Sequence, residues 1–219
     1  YQDKTLCESF EGEGNCCEAT DGSWHRCSCS ITSSCSMNSQ NSKNWVGTAH
    51  NRGVQYVLDQ LKAQRITKEV IGQLANKYVG NNVVVVWPVI GRNAVLNQLL
   101  LKGKITRNSI YFYKELFAIA DAAGIDNSVE FYAKIGKLEA QAATSLNERE
   151  LLTFYNSSAI ARYSGQFWAN AINDGTILPG KPWQDIVAAD VFGCIVGGVT
   201  GGLAGCIGFG IAFSVIAAI

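Results

Sequence analysis

The chain has 219 residues, of which 47% are hydrophobic, with 18 basic and 18 acidic side chains and no formal net charge. That length and apolar content suit one large domain, or one and a half small ones, with a real core and exclude disorder of the whole. The missing basic surplus excludes a general nucleic-acid binder, which must neutralise phosphates.

Residues 1–45 form a segment of their own. They carry six acids (Asp3, Glu8, Glu11, Glu13, Glu18, Asp21) against three bases (Lys4, Arg26, Lys43), are rich in Ser, Asn and Gly, and show no sustained periodicity. Six of the eight cysteines sit here: Cys7, Cys16, Cys17, Cys27, Cys29 and Cys35. An even cluster in a core-poor segment reads as a disulfide framework formed in an oxidising compartment. Sequence alone does not choose the pairing. Zinc is the competing reading, since His25 lies near Cys27 and Cys29, but two C-x2-C knuckles are not formed and no metal site is assigned. The chain begins at Tyr1 with no leader in view, which fits an exported, processed protein found outside the cytoplasm, secreted or at the cell surface. Residues 31–44 read as a Ser/Asn-rich linker.

From Trp45 the pattern becomes helical. Val46, Ala49, Val54, Val57, Leu58 and Leu61 predict a helix over about 46–64, with Asn51-Arg52-Gly53 as an interruption. A second helix is expected over about 67–79, capped by Thr67 and ended at Gly80. The run Val83–Trp87, closed by Pro88, is either a strand by propensity or a buried helical turn leading into 93–101. Lys102-Gly103-Lys104 marks a turn. Further helices are expected at about 107–123, 127–145 and 147–173, the last opened by Asn147 with Glu148 and Glu150 in its first turn, where the helix dipole favours them. Pro182-Trp183 starts the final segment. Together these elements predict an all-α bundle of five to seven helices: a disulfide-rich extension and linker at 1–45, a helical body at 46–189, and an apolar glycine-rich helix at 190–219.

That last segment is the most strongly patterned. Beyond Asp190 there is no charged side chain. Gly193, Gly197, Gly201 and Gly205 recur every fourth residue, and so do Cys194, Gly198, Gly202, Cys206 and Gly210. In one helix the two rows form a flat strip of small residues, with Ile195, Val196, Val199, Leu203, Ile207, Phe209, Phe213 and Ile216 opposite. Each Gly lowers helix stability by roughly 1 kcal/mol relative to Ala, so the strip points to close approach of another helix backbone. Bulk at Gly198 or Gly201 should part the helices, and Ala should do less harm. In a single straight helix Cys194 and Cys206 would lie about 18 Å apart, beyond bonding reach. A bend at Gly201-Gly202 would bring them together.

Other candidates for chemistry are thin. His50 is the one histidine outside the cysteine segment, and no Ser, Cys or carboxylate partner for it is evident from spacing. Glu148 and Glu150 point apart on a helix. Lys102, Lys104, Arg107 and Lys114 form a basic patch that could face anionic lipid. Gly91-Arg92-Asn93 and Gly103-Lys104 lack P-loop spacing.

His50-Asn51 with Tyr56-Val57-Leu58, Ser164 with Phe167-Trp168, and Ala189-Asp190-Val191-Phe192-Gly193 leading into the glycine-rich tail together resemble uncharacterised exported helical proteins of Bacteroidota. The resemblance spans about residues 45–210, leaves out the cysteine segment, and implies an exported address but no activity or catalytic residue. The resulting expectation is a secreted or surface protein, non-enzymatic and membrane-active in the manner of a bacteriocin or pore-former, needing no cofactor. Its tail would insert in lipid or self-associate. The alternative is a soluble structural or binding module whose tail is its buried central helix. A hydrolase using His50 comes third.

Overall fold

The computed structural model describes residues 16–18, 24–26, 38, 40–62, 66–80, 91–123, 128–173 and 182–219. The chain divides into two compact units, Tyr1–Cys35 and Ser36–Ile219. In the first, two three-residue strands, β1 (Cys16–Glu18) and β2 (Trp24–Arg26), pair antiparallel with Cys17 opposite His25. This strand pair leaves no period to detect, because three residues are too few to show alternation.

The second unit is all helical among its described residues: α1 (Asn44–Leu61), α2 (Lys68–Val79), α3 (Arg92–Leu101), α4 (Arg107–Asp121), α5 (Ser128–Ser145), α6 (Glu148–Asn173) and α7 (Trp183–Ala218). The choice between strand and helical turn at 83–87 lies outside the described residues. Helix boundaries follow local chemistry. Thr67 Oγ1 accepts the Val70 amide and Thr106 Oγ1 the Ser109 amide, both at 3.2 Å, each satisfying an otherwise orphaned donor. At α6, Asn147 Oδ1 accepts the Glu150 amide at 3.0 Å and Glu150 Oε2 accepts the Asn147 amide at 3.3 Å, a reciprocal capping box. Gly80 ends α2 with φ of 63°, a conformation that a side chain disfavours.

Two expectations are corrected. Asn51-Arg52-Gly53 does not interrupt α1, which runs through unbroken. Asn51 Nδ2 donates to the Tyr163 carbonyl at 2.9 Å, and a Cβ on Gly53 would lie 2.1 Å from Ile211 and 2.8 Å from Tyr78. These residues are turn-formers by habit, but here they serve packing against α6, α2 and α7. The second correction concerns the tail, which is not one straight helix. α7 breaks at Gly201 and Gly202, whose φ values of −130° and 61° leave the helical region. The chain then folds back. We call Trp183–Thr200 the first arm and Leu203–Ala218 the second.

The core closes around this hairpin. Val46, Val54 and Val57 of α1, Ile71 and Ala75 of α2, Leu116 and Ala120 of α4, Ile135 and Ala142 of α5, and Phe154, Ile160 and Trp168 of α6 are buried with Ile186, Val191, Ile195, Ile211 and Val215 of the two arms. α6 runs antiparallel to the first arm. Ser157 faces Cys194 and Gly165 accepts from Trp183 at the far end.

Candidate functional site

The two arms of α7 touch backbone to backbone. A Cβ built on Gly197 would lie 2.0 Å from the Gly205 carbonyl oxygen, one on Gly205 2.2 Å from the Gly197 oxygen, and one on Gly193 2.4 Å from the Phe209 oxygen. No side chain fits at these three positions unless the arms part. Cys194 and Cys206 are joined by a disulfide between the arms, with Cα atoms 3.7 Å apart. Both half-cystines are buried. The rest of the small-residue rows behaves differently. A Cβ on Gly198 would meet Cys206 Cβ at 3.5 Å and Thr153 Cγ2 at 3.8 Å, ordinary contact distances. Gly201 and Gly202 make the turn, and Gly202 has open space around it. The hairpin therefore replaces a flat strip facing some outside helix with one face folded onto itself, where Gly193 and Gly197 of the first arm oppose Phe209 and Gly205 of the second.

A charged network with no solvent exposure pins this hairpin to the bundle. His50 of α1 and Asp190 of the first arm are both fully buried, with His50 Nε2 3.1 Å from Asp190 Oδ1. The two atoms face each other as a buried ion pair. Asp190 Oδ2 accepts from Ser164 Oγ and, at 3.1 Å, from Trp168 Nε1, both on α6. Trp168 Nε1 also donates to Ser214 Oγ of the second arm at 2.8 Å. The other imidazole nitrogen, His50 Nδ1, lies 3.2 Å from Asn51 Oδ1. Asn51 spends its amide nitrogen on Tyr163, so its oxygen must face the ring. With an acceptor at each ring nitrogen, the geometry selects the doubly protonated imidazolium. Burial opposes that charge; the Asp190 carboxylate, its hydrogen bond, and those from Asn51 and the Gly210 backbone outweigh burial and raise the His50 pKa above its ordinary 6.5.

This cluster holds a Ser, a His and an Asp, yet it is wired unlike a nucleophilic triad. In such a triad the imidazole takes the serine proton. Here Ser164 donates to the carboxylate instead, and all three side chains are sealed from solvent. As built, the cluster can hold a charge and a shape but cannot receive a substrate.

A second buried network lies between α5 and α6. Glu139 Oε1 accepts from Asn41 Nδ2 at 2.5 Å, Ser158 Oγ at 2.5 Å and Arg162 Nη2 at 3.1 Å; Glu139 Oε2 accepts from Asn38 Nδ2 at 2.5 Å. Arg162 Nη2 also donates to Asn44 Oδ1 at 2.8 Å. Three asparagines that composition assigns to a linker are therefore tied into the body, which is why the compact unit begins at Ser36. The signal for this network was present but faint. Glu139 and Arg162 fall on faces otherwise built of Ile135, Leu138 and Ala142, and of Ser158 and Ala161, and all of these are buried. A charge on an apolar face announces a partner without naming it.

The sequence-predicted disulfide cysteines lie largely beyond description. Cys7, Cys27, Cys29 and Cys35 fall outside the described residues, and only the backbone of Cys16 and Cys17 is described, in β1. Among the described residues no cluster of His, Cys, Asp and Glu suits a metal ion. Spacing alone singles out His50 but offers it no partner, because Asp190 is 140 positions away and only the fold unites them. No protein-family model, curated protein or solved structure matches the chain.

Proposed function

We propose that the protein is an exported, non-enzymatic, membrane-active protein of bacteriocin or pore-former type, whose soluble form shelters its inserting element. The observation that carries this reading is the disulfide-linked apolar hairpin wrapped by amphipathic helices. α7 is long and apolar enough to cross a membrane, and 67% of its most apolar window is buried inside the protein. At 1.5 Å rise per residue the arms measure about 27 and 24 Å, near the ~30 Å hydrocarbon thickness of a bilayer. The turn at Gly201-Gly202 would lead insertion.

The charged clasp sets the barrier. An aspartate deep in a bilayer costs about 3 kcal/mol, so the hairpin must leave with Asp190 neutralised or part it from His50. The test is release of an encapsulated dye from liposomes by the full-length protein, with neutral and with anionic lipid. Release that rises with anionic lipid supports the reading. Inertness across lipid compositions and across pH refutes it.

The second reading, a soluble structural or binding module, is favoured by one specific observation: Asp190 and Ser214 pin both arms to α1 and α6 through buried polar bonds, as a permanent core would be pinned. An inert protein that stays monomeric without detergent would establish it over the first.

A further inference from the structure

We propose that the end of the bundle at the hairpin turn is a docking face for an anionic lipid surface. This rests on the membrane-active reading above and deepens it by naming where the protein meets the bilayer. The turn, Thr200–Leu203, shares that end with the starts of α4 and α6. Thr153 of α6 lies beside Gly198, and Glu150 accepts from Thr106 and, at 3.0 Å, from Ser109 at the start of α4. The α3–α4 turn, residues 102–105, immediately precedes Thr106 and so lies at the same end.

Two kinds of side chain are exposed there. Leu101 is 86% exposed and Tyr111 54%, with Leu152 and Leu203 also open to solvent. Exposed large apolar residues are few in the described structure, and four of the seven cluster here. Around them stand Lys102, Lys104, Arg107, Arg149 and, further along α4, Lys114, all exposed and none ion-paired with a described residue. The acids on the same faces are Glu148, Glu115 and Glu150, and Glu150 is already engaged by two hydroxyls and the Asn147 amide. In a chain of zero net charge this is a local basic surplus around apolar tips. Leucine and tyrosine that can enter the interfacial layer, ringed by lysine and arginine, match the chemistry of an anionic bilayer surface. A protein partner of acidic character would be met by the charge alone, whereas a bilayer surface takes up both the charge and the apolar tips.

The test is sedimentation of intact protein with vesicles of phosphatidylcholine alone or with phosphatidylglycerol added, at low and high salt. Binding should require the anionic lipid and weaken with salt. Lys102→Gln with Lys104→Gln should lower the partition coefficient roughly 30-fold. The matched pair Lys134→Gln with Lys137→Gln, on the exposed side of α5, should change it little. Leu101→Asp should weaken binding at every salt concentration, and it cannot unfold a core it does not touch. Equal loss from both lysine pairs, or equal binding to neutral vesicles, overturns the docking face even if dye is released, and leaves membrane activity standing by another surface. Binding that follows these variants without dye release keeps the docking face and refutes insertion of the hairpin. No binding to either vesicle overturns both.

Discussion

Replacing Gly197 by alanine asks how closely the two arms of α7 are held. The new methyl would sit 2.0 Å from the Gly205 carbonyl oxygen and 2.5 Å from its carbon, so the arms must part by about 1 Å before the contact reaches even 3.0 Å. The neighbour is backbone and cannot swing aside, and the Cys194–Cys206 bond three residues away resists separation. Overpacking of this kind costs about 1–3 kcal/mol. A gap of about 1 Å along the remaining interface forfeits up to about half of each atom pair's attraction. Against this stands a gain of about 1 kcal/mol from alanine's helix propensity. With the gap adding about 1 kcal/mol, the net loss is about 1–3 kcal/mol, a drop in Tm of roughly 2–12 °C for a domain of this size. Gly198→Ala is the control: its methyl meets nothing closer than 3.5 Å, so only the propensity gain remains, and stability should hold or rise by up to about 1 kcal/mol. Urea titration followed by circular dichroism, with matched thermal melts, reads both. Gly197→Ala as stable as the parent, or Gly198→Ala equally damaged, would refute backbone contact between the arms.

Three further outcomes follow from the buried bonds. Reducing Cys194–Cys206, which closes a loop with a sequence separation of 12, should lower stability by about 3 kcal/mol, seen as a lower Tm in reductant that Cys194→Ser with Cys206→Ser reproduces and reductant no longer alters. His50 has a folded pKa above its ordinary 6.5, so its ionic contribution is complete below that value and is lost as pH rises through the raised one. Urea midpoints should therefore fall as pH rises above the ordinary 6.5, and His50→Gln, less stable throughout, should flatten this dependence; a parent profile as flat as the variant's would contradict the clasp. Glu139→Gln removes the carboxylate from buried Arg162 and should cost about 3–5 kcal/mol, whereas Lys62→Gln, which breaks only the exposed Asp59 pair, should change the midpoint by less than about 1 kcal/mol.

Much of the helical plan was legible because it is local. α2, α4, α5 and α6 lie within a residue or two of their expected bounds, since apolar residues at helical spacing, Thr67 and Asn147 as caps and Gly80 as a stop act over a single turn. The same local habits misled at Asn51-Arg52-Gly53, where tertiary contacts with Tyr163, Tyr78 and Ile211 override turn propensity. The tail shows the division most clearly. Its lack of charge and its four-residue spacing of glycines determine that some backbone must come close, because only that contact offsets the lost helix stability. The choice of backbone depends on whether Gly201 and Gly202 stay helical, a balance of small local terms that no spacing resolves. The fold decides it: a positive φ at Gly202, a disulfide between Cys194 and Cys206, and Asp190 captured by His50 from another helix make the tail its own partner. Pairings across 140 positions arise from topology, and topology is decided only when the whole core is packed at once.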